Sequence, residues 1–136
     1  YELDFVATPT ENIALLGGYG DITSTTERGP TQRAVPIGAN YRLWGKYTFT
    51  KWSIKGGYAG LGFEHTAKRD MAGDGLGTLP AYDSWDGLVG YRRGNWDAQV
   101  NVYNLTDANY ASIAVAKFLM YGGDSRRIRL TLTRAF

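Results

Sequence analysis

The sequence predicts an all-β chain, a segment of an antiparallel transmembrane β-barrel with about seven strands. The stretch 125–136 alternates between apolar and polar residues with a period of two, which is the period of side chains along a β-strand. Glycine (18 residues) and tyrosine (10 residues) are both abundant, as in chains built of strands and tight turns. Short turns also alternate with long loops along the chain, an asymmetry typical of membrane barrels.

The composition excludes several classes of protein. The chain has no cysteine, which excludes a disulfide framework or a thiolate metal site. The net charge is only +2 and basic residues are mixed with acidic ones, so nucleic acid is not expected as a partner. No apolar run approaches the roughly 18 to 20 residues of a membrane helix. A mean hydropathy of -0.32 is nevertheless compatible with barrel strands, since half of their side chains face a polar lumen.

Three strands are predicted in the first fifty residues. Tyr1 to Ala7 alternate as an amphipathic strand, which Pro9 is expected to end because proline cannot donate to a sheet ladder. As the chain starts inside this strand, we expect it to be a fragment of a longer protein. The third strand is predicted to close at a very short turn near Thr50-Lys51. In order, these elements are strand 1–7, turn 8–12, strand 13–19, loop 24–32 and strand 41–49.

Four more strands are predicted in the rest of the chain. The fourth opens at Trp52 and contains four glycines, which we expect to be covered by large aromatic neighbours. The clearest hairpin of the sequence has its tight turn at Gly94-Asn95. Seven strands would not close a bacterial single-chain barrel alone, because such barrels have an even count. These elements are strand 52–64, loop 66–81, strands 85–91 and 96–103, loop 106–124 and strand 125–136.

Residues that carry catalysis or bind metals in other proteins have plainer interpretations here. His65 beside Glu64 could be half of a metal site, but it is the single histidine of the sequence, so we interpret it as a solvated strand end. Carboxylates such as Asp83 and Asp86 are expected on the polar face of barrel strands. The glycine-rich segment 73–77 lacks the Lys-Ser/Thr of a phosphate-binding loop, which favours a flexible loop. We therefore predict no catalytic and no metal-binding residue.

Residues in or next to the predicted long loops are candidates for contact with a ligand. Basic side chains there could bind an anionic chelate or a lipopolysaccharide phosphate through charge-assisted hydrogen bonds. Charged loops are common, however, and the solubility of exposed loops is the favoured explanation. The candidates are Arg28, Arg33, Lys68, Arg69 and Lys117, together with Tyr121 in the third long loop.

Four stretches together form a pattern known from one family of proteins. Residues 101–110 read N-V-Y-N-L-T-D-A-N-Y and match the signature N-v-x-N-L-x-D-x-x-Y, which is the most specific of the motifs. Residues 79–96 match a loop-strand-turn segment, 121–136 match an ending that starts with Tyr-Gly and closes on Phe, and Val35-Pro36 is a weaker match. The pattern resembles the TonB-dependent outer-membrane receptors, in particular their siderophore-receptor branch. The motif residues are Asn101, Asn104, Leu105, Asp107, Tyr110, Tyr121, Gly122 and Arg129.

The chain departs from this family pattern at three places. Ser125 stands where the family often has proline, and Arg134 stands where an aromatic residue is usual. An arginine at that position can extend its charged end to the membrane edge while its stem packs on apolar surface. Ile37-Gly38 replaces the Arg or His often found after Val-Pro.

The resemblance implies that residues 1–136 are the C-terminal portion of a 22-stranded barrel with a plugged lumen, located in the bacterial outer membrane and surrounded by lipid. The plug, and the segment that binds the TonB complex, would lie upstream. The resemblance also implies a transported ligand such as a ferric siderophore, with no catalysis and no covalently bound cofactor. The apolar run 111–121 would be a strand extension, a helical turn or a plug-facing loop. The barrel-assembly machinery would recognise the last strand through Ile128, Leu130, Leu132 and Phe136.

Two alternatives to a receptor barrel remain open on the sequence. One is a smaller porin or adhesin barrel without a plug. The other is a soluble β-sandwich or carbohydrate-binding module, in which the alternating apolar faces form one internal core. The sandwich and the barrels differ in whether those faces are buried or exposed.

Overall fold

The structure, a computed structural model, describes residues 1–22, 38–51, 54–70, 77–116 and 119–136. The regular elements in these ranges are β-strands, and Ile54 has 3₁₀ conformation. The strands are β1 (Glu2–Thr10), β2 (Ile13–Ile22), β3 (Gly38–Thr48), β4 (Gly57–Thr66), β5 (Arg69–Asp70), β6 (Thr78–Leu79), β7 (Tyr82–Arg93), β8 (Trp96–Tyr103), β9 (Ala111–Ala116), β10 (Leu119–Gly122) and β11 (Arg127–Arg134).

Seven of these strands form one sheet in the order β1-β2-β3-β4-β7-β8-β11, with every neighbouring pair antiparallel. The other four form two small hairpins, β5–β6 and β9–β10, within the connections that follow β4 and β8. The prediction of about seven antiparallel strands is confirmed. The sequence left three alternatives for the run 111–121. In the structure this run contributes β9 and most of β10.

The first predicted turn was wrong in its position. β1 continues past Pro9 to Thr10, and its pairing with β2 is irregular between Ala7 and Thr10. Proline fits there because β1 lies at the edge of the described sheet and the irregular pairing needs no hydrogen bond from its nitrogen. The turn therefore contains Glu11 and Asn12 alone.

The start of the fourth strand was also predicted too early. β4 begins at Gly57, and Phe49 exchanges backbone hydrogen bonds with Gly57 and Gly56, so the connection after β3 is longer than a tight turn. Gly56 has a φ of +95°, and a Cβ there would press against the carbonyl oxygen of Arg92. Only glycine satisfies both conditions, which fixes where the strand can begin.

The register assigns each residue of the sheet to one of two faces, because directly opposite residues of an antiparallel pair lie on the same face. One row runs through Leu130, Val100, Val89, Ala59 and Tyr47 to Ile13, crossing six strands with apolar side chains throughout. The adjacent row on the other face runs through Thr131, Gln99, Gly90 and Tyr58 to Thr48 and carries polar groups on every strand except at Gly90. We call these two surfaces the apolar face and the polar face.

Large hydrophobic side chains on the apolar face are exposed. Leu130 is 72% exposed and Val89 is 58% exposed, although both lie in the middle of their strands. A soluble sandwich formed by this chain alone would bury such side chains against a second sheet, and the described residues place no second sheet on this face. Other members of this exposed set are Leu3, Phe5, Tyr19, Tyr41, Leu43, Tyr47, Leu61, Trp85, Tyr91, Trp96, Ile128 and Leu132.

Candidate functional site

The polar face carries a hydrogen-bonded network centred on Asp97 in β8. Tyr58 donates to one carboxylate oxygen at 2.6 Å, and Arg92 donates to the other through Nε at 3.0 Å and Nη2 at 2.7 Å. The Tyr58 hydroxyl also lies 3.1 Å from Gln99 Oε1, and the Lys46 ammonium sits 4.4 Å from the Tyr58 ring centroid. The charges of Asp97 and Arg92 are therefore paired within the sheet itself.

A second polar cluster lies where β1, β2 and β3 meet. Asp4 and Arg42 form an ion pair of 3.7 Å across Gly18, which is opposite both of them in the register. They line an open recess of about 240 Å³ whose other polar residues include Glu2 and Glu64. This recess offers charged and hydrogen-bonding groups at the loop end of the polar face.

Asn104 closes the base of the connection between β8 and β11. It is 3% exposed, has a φ of 50°, and its side-chain amide donates to the carbonyl oxygens of Ala108 (2.9 Å) and Asp124 (3.0 Å). Its side-chain oxygen accepts from the backbone amide of Ala108 at 2.8 Å. The backbone amide of Asn104 donates to Asp86 Oδ1 at 2.8 Å. Asparagine suits this position because it tolerates the left-handed region and pairs with nearby backbone groups.

The other residues of the 101–110 motif support the same loop base. Asp107 accepts the Arg126 amide at 2.9 Å, and the Leu105 amide donates to Trp85 at 2.6 Å. The Tyr110 ring stacks on Tyr82 with centroids 3.9 Å apart and planes 12° apart. Through these contacts Leu105, Asp107 and Tyr110 hold the base of the connection between β8 and β11.

Tyr110 also covers Gly123. The ring occupies the space that a Cβ of Gly123 would need, and the Gly123 amide donates to the Tyr110 carbonyl at 2.7 Å. Burial raises the pKa of the Tyr110 phenol, with smaller contributions from Tyr82 and from the carboxylates around it. The ring lines a recess of about 160 Å³ together with Tyr82, Asp86, Asp124 and Arg127.

The structure places the candidate ligand-contacting residues in different environments. Arg69 is only 7% exposed, and its Nη2 donates to the carbonyl oxygens of Ala111 (2.6 Å) and Ser112 (2.7 Å). Lys68 and Tyr121 are exposed, so their side chains are available to solvent or a ligand. Arg28, Arg33 and Lys117 lie outside the described residues.

The end of the chain has the predicted alternation. Ile128, Leu130 and Leu132 lie on the apolar face and are exposed, whereas Arg129 lies on the polar face. The Arg134 guanidinium lies 5.2 Å from the Trp96 ring centroid and 5.1 Å from that of Phe136. Arg134 thus belongs to an aromatic cluster, which explains how the usual aromatic position accepts an arginine.

The sequence interpretation missed the partners of His65. His65 Nδ1 lies 2.6 Å from Asp83 Oδ1, directly opposite in the register, and the Tyr41 ring stacks on the imidazole at 4.8 Å. His65 and Asp83 are 18 positions apart in the sequence, and only the β4–β7 register shows that they lie opposite each other. Within the described ranges, no group of three or more His, Cys, Asp or Glu residues is arranged to hold a metal ion. The same ranges contain no helix long and apolar enough to cross a membrane.

Comparisons with known proteins agree with this architecture. No family model matches the chain. Two catecholate siderophore receptors named Fiu, from Escherichia coli UTI89 and K12, are each 29% identical over a 149-position alignment that covers all of this chain and 19% of the receptor. The chain therefore spans about one fifth of the length of these curated relatives.

Solved structures show the same partial match. The closed form of the Escherichia coli K12 ferric-catecholate import receptor Fiu superposes with a TM-score of 0.81 at 24% identity, covering 99% of this chain and 20% of that one. The siderophore receptor PiuA of Acinetobacter baumannii gives 0.77 at 20% identity, covering 98% and 21%. These relatives and structural neighbours are TonB-dependent siderophore receptors, and the seven-stranded sheet has the fold of a segment of their barrel. The resemblance seen in the sequence motifs is confirmed.

Proposed function

We propose that this chain is the C-terminal part of the barrel of a TonB-dependent outer-membrane receptor that imports a ferric siderophore, with the catecholate class as the first candidate. The observation that carries the proposal is the apolar face, which crosses the whole sheet and stays exposed. In water such a face favours association, whereas in a bilayer it is the surface of a barrel wall. The similarity to catecholate siderophore receptors supports the ligand class.

Aromatic residues near both ends of the strands support the membrane location. Tyr41 and Trp85 lie towards the long-connection end of the apolar face, and Tyr47, Tyr91 and Trp96 lie towards the short-turn end. Membrane barrels carry aromatic girdles at the two interfaces, with a lipid-facing apolar band between them. The short turns at 11–12 and 94–95 would face the periplasm, and the connections 23–37, 67–81 and 104–126 would face outwards.

In this proposal the segment acts as wall and loop scaffold. Its polar face would line the lumen against a plug supplied by another part of the receptor, and passage of ligand would require that plug to move. The TonB complex would act on a region outside this segment, and the assembly machinery would recognise β11 and the Phe136 that follows it. We assign the segment no catalytic role and no covalently bound cofactor.

The ligand-contacting residues are proposed to lie in the outward connections. Lys68 and Tyr121 are exposed there, with a cation and a phenol that can contact an anionic, aromatic chelate. Arg28, Arg33 and Lys117 remain candidates for the same role. Arg69 is a weaker candidate for direct contact because its guanidinium is buried and bound to backbone carbonyls.

The wall assignment can be tested in the full-length receptor reconstituted in lipid vesicles. A single cysteine at Leu130 or at the adjacent Thr131 would carry an environment-sensitive fluorophore, with a quencher attached to the lipid tails. We expect quenching at position 130 and little at position 131, because adjacent residues lie on opposite faces. Equal quenching at the two positions would contradict the proposal.

The ligand class is tested separately. Titration of the purified receptor with a ferric catecholate should quench its tryptophan fluorescence at lower concentration than a ferric hydroxamate does. The reverse order would leave the barrel assignment in place and overturn the catecholate assignment.

A further inference from the structure

We propose that Arg69 fastens the connections 67–81 and 104–126 to each other, so that the hairpins β5–β6 and β9–β10 move as one unit. The proposed function enters only in placing these hairpins on the outer side of the membrane. The fastening itself consists of contacts between the two connections.

The first contact is a pair of hydrogen bonds that cross between the hairpins. Arg69 lies in β5, and its Nη2 donates to the carbonyl oxygens of Ala111 and Ser112, the first two residues of β9, at 2.6 and 2.7 Å. These carbonyls lie 42 and 43 residues further along the chain. A buried donor of this kind ties together two segments that have no backbone pairing with each other.

The second contact is a stack that starts from the same guanidinium. Its central carbon lies 5.4 Å from the ring centroid of Tyr82, and Tyr82 stacks at 3.9 Å on Tyr110, which in turn covers Gly123. Tyr82 opens β7 and is fixed in the large sheet, whereas Tyr110 and Gly123 flank the β9–β10 hairpin. The stack therefore seats both connections on the same strand of the wall.

Each hairpin also contributes an almost fully buried apolar side chain. Leu79, opposite Arg69 in the β5–β6 register, is 3% exposed, and Ala114 in β9 is 1% exposed. On the large sheet, by contrast, most large apolar side chains are exposed. Each hairpin thus has a buried apolar side chain in addition to the hydrogen bonds of Arg69.

The remaining amino group of Arg69 adds no hydrogen bond to the fastening within the described ranges. Its Nη1 is buried and has no hydrogen-bond partner among the described residues. A buried donor without a partner is unfavourable, and water would satisfy it once the hairpins separated. The fastened arrangement is consequently closer in free energy to the separated one than a fully paired guanidinium would allow.

The test uses the full-length receptor in detergent micelles, with spin labels on cysteines placed at Thr78 in β6 and Met120 in β10. Both positions are exposed and neither takes part in the contacts above. We expect one narrow distance distribution in the otherwise unsubstituted protein. Arg69→Met should broaden it, and Lys68→Met, which removes the adjacent exposed charge, should leave it narrow.

Two further variants keep the test decisive. Tyr110→Ser removes the stack without touching Arg69 and should also broaden the distribution. Arg69→Lys keeps the charge without the planar fork and replaces Arg69→Met if that variant does not fold. A distribution that stays narrow without Arg69, or is already broad with it, overturns the proposal. Failure of the barrel assignment would be seen earlier, as failure of the unsubstituted chain to fold in detergent.

Discussion

Tyr58 in β4 reaches across β7 and donates a hydrogen bond of 2.6 Å to Asp97 in β8. The ring can cross because the intervening residue in the register is Gly90, and the space that a Cβ would fill is taken by the ring. One side chain thus joins three strands on the polar face. The glycine and the tyrosine therefore form a single structural unit.

Gly90→Ala should displace the Tyr58 ring and break its bond to Asp97. We expect a loss of about 1 to 3 kcal/mol in the free energy of unfolding, the usual range for overpacking with loss of a buried hydrogen bond. Denaturant unfolding of the full-length receptor in detergent measures it. The matched control is Gly20→Ala, since no atom lies within 4 Å of a Cβ at that strand position. Equal effects of the two substitutions would refute the prediction.

Asn104→Asp should loosen the base of the 104–126 connection. The substitution removes the amide that donates to the carbonyl oxygens of Ala108 and Asp124, and the loss of each part-buried hydrogen bond costs about 0.5 to 1.5 kcal/mol. Hydrogen exchange should show faster exchange of the Gly123 amide, with the large sheet unchanged. Asn109→Asp, at an exposed position of the same segment, serves as the control. Unchanged exchange at Gly123 would show that Asn104 does not hold the loop base.

We expect the 104–126 connection to lose its docking on the large sheet at alkaline pH, because of Tyr110. Its raised pKa means that the docked loop holds the phenolic proton more tightly than a solvated tyrosine, whose pKa is about 10. Docking is therefore fully stabilised below about pH 10 and is lost as the pH rises through the pKa of Tyr110. Limited proteolysis across this range should show loop cleavage increasing at the alkaline end.

Tyr110→Phe should remove this alkaline transition while keeping the stack on Tyr82. Tyr121→Phe, which changes an exposed tyrosine of the same connection, should leave the transition in place. A transition that persists in the Tyr110→Phe variant would assign it to another group.

A charge on the apolar face should destabilise the barrel far more than one on the polar face. For Val89→Arg, at mid-strand on the apolar face, we expect a cost of about 2 to 4 kcal/mol, the range for a cation near the bilayer midplane. Thr131→Arg, at a similar level on the polar face, should cost much less because its side chain would meet the hydrated lumen. Unfolding in lipid vesicles compares the two, and similar costs would contradict the assignment of the faces.

The sequence was sufficient for the seven strands of the large sheet, apart from some of their ends, and for the two faces, because a period of two is a local property. It also identified the 101–110 motif, whose Asn104 satisfies backbone groups mostly within its own loop. The start of β4 could not be read locally, since the requirement for glycine at position 56 comes from the carbonyl of Arg92 in another strand. Arg69 was predicted as a loop cation for the same reason. Its burial depends on carbonyls 42 and 43 residues away, which no local pattern encodes.

The strand order has a consequence for how such a wall can vary. Once the two small hairpins are set aside, each strand of the large sheet bonds only to strands adjacent to it in the chain. The entropic cost of closing a flexible connection grows only with the logarithm of its length, so each doubling adds roughly 0.6 kcal/mol. Outer connections can therefore gain or lose residues while the register beneath them stays the same. Natural variation can then change what the loops hold and leave the wall that carries them intact.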